Sequence, residues 1–323
     1  MLDLHTDALQ FADLSDRYRT EKAQGGNYQA TMRKIKALVS FNAERLATVT
    51  KTKLIKRESS LDKGRGTPLV ALSVNTIVAK GTSLKMKDLT TLNTRSERLI
   101  TGINFVMDYS GSMWFPEFSA IDGLQRIFAQ NFIALVYATY LQKVSKNRLM
   151  VVFSPFCEQP IHLITSDVLN ADWDLLLATK GWSFNNQSSH TAVRTEFLPD
   201  LMKGVVTNTD WFCNEQPAEA INSSNAHFKG KNMYGFITVL ITDGGMHRLG
   251  ETPEDRIAFL GKSLMSVVST KRLSFVYIIK LQEKNFGEIL KKMNIKHSLL
   301  NTKQDYNAGF EYLTSLINQT TRR

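Results

Sequence analysis

Two short, mainly apolar runs that each end on an aspartate constrain this chain more than anything else in it. Residues 99–107 lead straight into Asp108, and residues 236–241 lead through Thr242 into Asp243. Neither shows the strict in–out alternation of a half-exposed strand, so each reads as a strand buried on both faces. Residues 149–153, 161–164 and 273–281 read the same way. Between and after them come stretches with helical spacing, at 118–143, 173–178, 193–205, 253–268, 286–293 and 308–317. Strand and helix in alternation, with continuous apolar strands, imply a doubly wound α/β domain whose mostly parallel sheet is covered on both faces. Ligands of such sheets bind outside the carboxyl ends of the strands, where Asp108 and Asp243 stand. The polar segment 213–235 reads as an insertion-like loop.

The first third of the chain is different in kind. Residues 1–98 are expected to form a mainly helical, basic region and residues 99–323 the α/β domain. In residues 29–47 the apolar Met32, Ile35, Leu38, Val39 and Leu46 recur at helical spacing, interleaved with Arg33, Lys34, Lys36 and Arg45. Residues 58–68 have a loop composition, and 69–78 read as a further helix opened by Pro68. The formal net charge is +10, and residues 1–100 hold eighteen Lys and Arg against ten Asp and Glu, so the excess is concentrated there. An acidic partner or nucleic acid would meet Arg33, Lys34, Lys36, Arg45, Lys51, Lys53, Lys56 and Arg57, with Tyr18, Tyr28 and Phe41 available for stacking. A solvated helical face that aids solubility accounts for the same charges equally well.

Composition removes several classes. Hydrophobic residues make up 43% of the chain and charged residues 22%, which excludes a disordered protein. Two cysteines, Cys157 and Cys213, are too few for a disulfide scaffold and point to a reducing compartment. The acidic start, Met1 to Asp7, has no apolar core of a signal peptide, and no run approaches a membrane span. A soluble, cytoplasmic protein is the expectation.

The chemistry sits in Asp108-Tyr109-Ser110-Gly111-Ser112-Met113, where an aspartate and two hydroxyls alternate directly after a strand. In a tight loop that spacing turns three oxygens toward one point, and hard oxygens suit Mg2+, Mn2+ or Ca2+. Asp243 follows the strongest strand, in Thr242-Asp243-Gly244. These residues resemble the metal-ion-dependent adhesion site of von Willebrand factor A domains, a D-x-S-x-S-M loop, then a threonine in a later loop, then an aspartate in a T-D-G turn. The resemblance covers about residues 99–320. Its second element falls on Thr191, where the family's usual preceding glycine is replaced by His190; Ser188, Ser189 and Thr195 are alternatives. It implies that Ser110, Ser112 and Thr191 bind the ion through hydroxyls, with Asp108 and Asp243 acting directly or through water. Neutral donors leave the ion electrophilic, so a partner's Asp or Glu completes the shell.

No enzyme motif competes. A haloacid-dehalogenase-like site needs a second aspartate where Ser110 stands; no G-x-S-x-G elbow surrounds either serine, and no phosphate-binding loop is present. The chain is therefore expected to be a non-catalytic interaction module. Architectural similarity to stand-alone intracellular members of the family implies an adaptor for a separate AAA+ ATPase of the MoxR type. The alternative is a nucleic-acid-associated factor that uses the basic region, with the A-like domain as its protein-docking site. His190 and His247 flank the loops as rim residues or as charge switches toward a partner, and Trp114 and Phe115 either offer an aromatic contact on the binding face or pack over the start of the helix.

Overall fold

The computed structural model describes residues 3–61, 100–114, 120–145, 148–156, 160–177, 217–244, 252–265, 271–280 and 286–321. Its centre is β1 (Ile100–Asp108), with β2 (Arg148–Phe156) on one side and β4 (Met233–Thr242) on the other. With β3 (Leu163–Thr165), β5 (Arg272–Ile279) and β6 (Lys296–Leu300) the sheet has the order β3-β2-β1-β4-β5-β6. All neighbours pair in parallel except β3, which runs antiparallel to β2. The chain thus has the doubly wound, mostly parallel α/β fold that its apolar strands imply.

One face of the sheet is covered by α4 (Arg126–Val144) and α9 (Lys303–Thr321). Ile103, Phe105 and Met107 of β1, Ile237, Val239 and Ile241 of β4, and Phe275 and Tyr277 of β5 point into this layer. Outside it lie α1 (Leu4–Ala23) and α2 (Tyr28–Leu61), a helical hairpin whose Phe11, Ile35, Val39, Ala43 and Leu46 belong to the same core. This second layer explains α4, in which every residue from Arg126 to Leu141 is buried. A helix apolar on all sides needs cover on all sides. The hairpin is bolted down by polar contacts: Asn307 Oδ1 accepts the Leu4 and His5 N–H groups (2.9 and 3.0 Å), capping α1, and His5 Nε2 lies 2.7 Å from the Ile121 carbonyl.

The opposite face carries α6 (Pro217–Ala226), α7 (Pro253–Met265) and α8 (Phe286–Lys292). Ile221, Ile257, Leu260, Leu264 and Leu290 pack there on Val106, Leu240, Val276 and Ile278. Gly102 of β1 lets this layer close: a Cβ on it would lie 2.3 Å from Met233 Cε and 2.9 Å from the rings of Phe228 and Phe236.

Several boundaries differ from the sequence reading. The long helix begins at Arg126 rather than 118, because Ile121–Leu124 form a tight turn with Asp122 and Gly123 at positive φ (46° and 92°). The segment 213–235, read as a loop, contains α6 and the start of β4; Asn222, Ser223 and Asn225 weaken its helical pattern, but Pro217, Ala218, Ala220 and Ile221 are buried. Helix α2 continues through 58–61, where a loop was expected. The short strand β6 interrupts the helical carboxyl-terminal region, since its exposed edge lacks a buried run. The proposed helices at 69–78 and 193–205 lie outside the described residues.

Candidate metal centre

The site is built where β1 and β4 end side by side. Their register pairs Met107 with Ile241, which puts Asp108 level with Thr242 and one residue from Asp243. Both carboxylates are fully buried, and Ser110 is nearly so. Beyond β1 the chain bends at Ser110 and enters the one-turn helix α3 (Gly111–Trp114), closed by the Met113 N–H to the Ser110 carbonyl (3.1 Å). The turn folds Ser112 back over Ser110, and their Oγ atoms stand 3.0 Å apart.

Asp108 is held on every side. The Ser110 N–H donates to its Oδ1 (2.9 Å), and the Thr242 hydroxyl donates to its Oδ2 (2.8 Å). Thr242 Oγ1 in turn accepts the Gly244 N–H (3.1 Å), so one side chain locks both strand ends. From α4, Gln130 Nε2 donates to the Asp108 carbonyl (2.6 Å). The next residue is fixed too: the Tyr109 N–H donates to the Phe156 carbonyl (2.8 Å), and its hydroxyl donates to Asn131 Oδ1 (2.9 Å). Gln130 and Asn131, the two polar residues that interrupt the apolar stretch of α4, therefore support the loop that follows β1.

Asp243 is held differently. Arg126, the first residue of α4, places Nη1 2.5 Å from Asp243 Oδ2, with side-chain exposures of 4% and 0%. An arginine opening a helix works against the helix dipole. Here the buried carboxylate opposite compensates. Burial pulls the Arg126 pKa down, while the Asp243 charge and hydrogen bond hold it up. The Asp108 carboxyl is pushed up to about 7, first by burial and then by the charge of Asp243, against the hydrogen bonds from Ser110 and Thr242. Among the described residues, two buried carboxylates stand beside one guanidinium, an arrangement that favours a further cation.

The donor set of hydroxyls and carboxylates fits a hard divalent ion. The Ser110 and Ser112 hydroxyls stand 3.0 Å apart, at hydrogen-bonding distance, and such neutral oxygens suit Mg2+, Mn2+ or Ca2+ alike. Among the described residues no three His, Cys, Asp or Glu side chains cluster as a metal site.

Of the expected ligands, Asp108, Ser110, Ser112 and Asp243 converge at the carboxyl end of the sheet, where β1 and β4 stop. Thr191, its alternatives and His190 lie outside the described residues, as do His247, Phe115, Cys157 and Cys213. Arg126 escaped the sequence reading, although a lone charge opening a long apolar helix is a signal that a partner waits nearby. Of the basic residues, Arg33 and Lys34 are exposed, and Lys51, Lys53, Lys56 and Arg57 lie in the last turns of α2. Lys36 and Arg45 serve the fold instead: Lys36 Nζ lies over the Trp173 ring and donates to the Ala171 carbonyl (3.2 Å), and Arg45 pairs with Asp7 (2.6 Å). Tyr18 is buried against Asp174 and Tyr28 is partly buried, while Phe41 is exposed.

No family model matches the chain, and no curated protein matches it. Solved structures do. BatB from Bacteroides thetaiotaomicron is 13% identical, with a TM-score of 0.42 over 69% of this chain and 100% of that one. The PilB minor pilin from Streptococcus sanguinis is 11% identical, with a TM-score of 0.45 over 69% of this chain and 62% of the pilin. A von Willebrand factor type A protein from Catenulispora acidiphila is 13% identical, with a TM-score of 0.38 over 67% of this chain and 42% of that one. The fold assignment rests on the strand order and register given above. No described helix is long and apolar enough to cross a membrane.

Proposed function

We propose that this chain is a von Willebrand factor A-like module that docks a protein partner through a divalent cation, Mg2+, Mn2+ or Ca2+, and catalyses no reaction. The observation that carries the reading is the convergence of Asp108, Ser110, Ser112 and Asp243 at the carboxyl ends of β1 and β4, with Thr242 bracing the two strands. Ser110 and Ser112 would hold the ion directly, and the carboxylates would act on it directly or through its waters. The bound ion supplies a Lewis-acidic position for an outside oxygen; the chain supplies a rigid, buried cradle. Both oxygens of Asp108 accept hydrogen bonds from its own loops, which suits a fixed support better than a nucleophile or mobile base. A cytoplasmic adaptor of a MoxR-type AAA+ ATPase is the finer form of the proposal, by analogy of architecture alone.

The test is retention of carboxylate-bearing peptides by the full-length chain in Mg2+ and in EDTA. Retention by the wild type in Mg2+ alone, lost in Ser110→Ala, is the expected result. Binding that survives EDTA, or a wild type that takes up no divalent ion, sinks the proposal.

Nucleic-acid binding is the second reading, favoured by exposed Arg33, Lys34 and Phe41 on α2. It is narrowed by the internal duties of Lys36, Arg45 and Tyr18. Absence of RNA or DNA binding at low salt removes it.

A further inference from the structure

We infer that Arg126 is a resident counter-cation of the metal centre, which weakens binding of the bare ion and strengthens binding of a carboxylate ligand to the loaded site. The inference rests on the metal-dependent docking proposed above and concerns how that site is regulated. Its basis is the asymmetry between the two aspartates. Asp108 is satisfied by neutral groups, a backbone N–H and a hydroxyl. Asp243 instead gives Oδ2 to a guanidinium 2.5 Å away, and both partners are buried.

A divalent ion held by Ser110, Ser112 and these carboxylates would sit near that guanidinium in a poorly screened place. Like charges repel there far more strongly than in water. Asp243 also has less charge to offer an ion while Arg126 holds one of its oxygens. Both effects lower affinity for metal alone. An incoming carboxylate reverses the sign, because it is drawn by the ion and by the guanidinium behind it. Metal and anionic ligand then bind as a coupled pair, each raising the affinity of the other by the same factor. The site would stay largely empty until a suitable partner arrives.

A residue that merely props up the fold would not act in opposite directions on two ligands. The experiment measures Mn2+ binding to the full chain by electron paramagnetic resonance, with and without acetate, in wild type, Arg126→Gln and Arg126→Lys. Loss of the charge in Arg126→Gln is expected to tighten Mn2+ alone by about tenfold or more and to shrink the tightening that acetate brings. Arg126→Lys keeps the charge and stays close to the wild type in both. If Arg126→Gln folds only with metal, its melting temperature against Mn2+ concentration reads the same affinity. Weaker or unchanged Mn2+ binding in Arg126→Gln overturns the inference, as does failure of that variant to fold at any Mn2+ concentration. A wild type that binds no Mn2+ at all overturns the docking proposal instead.

Discussion

The two faces of the sheet are made on different plans. On the α4 side, β1 presents Ile103, Phe105 and Met107, and the cover is two helical layers deep, so nearly every contact is apolar. On the α6 side, the same strand presents Asn104, Val106 and Asp108, and β2 and β4 add Ser154, Thr238 and Thr242, all buried. Asn104 Nδ2 donates to Ser224 Oγ (2.5 Å), and His162 sits between Ser154 Oγ and Ser223 Oγ, 2.9 Å from each. This inner polar cluster is joined by hydrogen bonds among Asn104, Ser154, His162, Ser223 and Ser224, none of them an acid, lysine or arginine. Four residues along β1, at Asp108, the same face ends in charge: among the described residues, two buried carboxylates stand beside the Arg126 guanidinium. Buried polar groups are costly, so their concentration on the second face, beside its own apolar core, marks it as the face that carries the candidate site.

The largest expected effect lies on the apolar face. Phe132 packs against Phe11 of α1 and Phe310 of α9, with ring centres 5.4 and 6.2 Å away. Phe132→Ala should lower stability by about 3–5 kcal/mol in urea unfolding and loosen the hairpin, while leaving Mn2+ affinity nearly unchanged in the fraction that remains folded. An equal loss of metal affinity would show that the faces are not separable.

Asp108→Asn should do the reverse. Ionised Asp108 is disfavoured in the metal-free fold, and asparagine keeps its size and most of its hydrogen bonds. At pH 8 the metal-free variant should gain stability on the order of 2 kcal/mol over the wild type, and it should no longer be stabilised by Mg2+. A wild type more stable than the variant without metal would contradict the charge excess.

The two polar clusters should also titrate with opposite slopes. Asp108 binds its proton more tightly folded than unfolded, so stability falls as pH rises from about 4 to about 7. Burial, and then the neighbouring His227, lower His162 from 6.5 to about 4, so it takes up its proton less readily when folded, and stability falls as pH drops through that window. In the wild type the slopes partly cancel. Asp108→Asn should expose the His162 slope, worth about 1 kcal/mol after allowing for solvent screening at the partly exposed ring, and His162→Gln should expose the Asp108 slope. Urea unfolding at several pH values checks both signs.

The smallest effect separates fold from surface on α2. Lys36→Ala gives up its contact with Trp173 and its bond to Ala171 and should cost about 1 kcal/mol, whereas Arg33→Ala and Lys34→Ala should each stay within about 0.5 kcal/mol in thermal melts. Equal losses at all three would mean that the exposed pair also packs.

Local pattern was enough for much of this molecule. Mainly apolar runs mark β1, β2, β4 and β5 because a strand buried on both faces has no solvent-facing side to alternate with. The D-x-S-x-S loop and the T-D-G turn are legible because their oxygens are spaced within a few residues of one strand end. What the sequence could not disclose depends on partners distant along the chain. Helix α6 hid behind its own polar residues, which only the polar cluster under the sheet explains. That α4 is buried all round follows from the helical hairpin of residues 4–61, and that Gln130 and Asn131 brace the candidate metal loop follows from bonds to Asp108 and Tyr109, each 22 positions away. The pairing of Arg126 with Asp243 joins positions 117 apart. Periodicity reports what one segment wants to bury; only the packed chain decides which segment buries it, and which charge is left facing another.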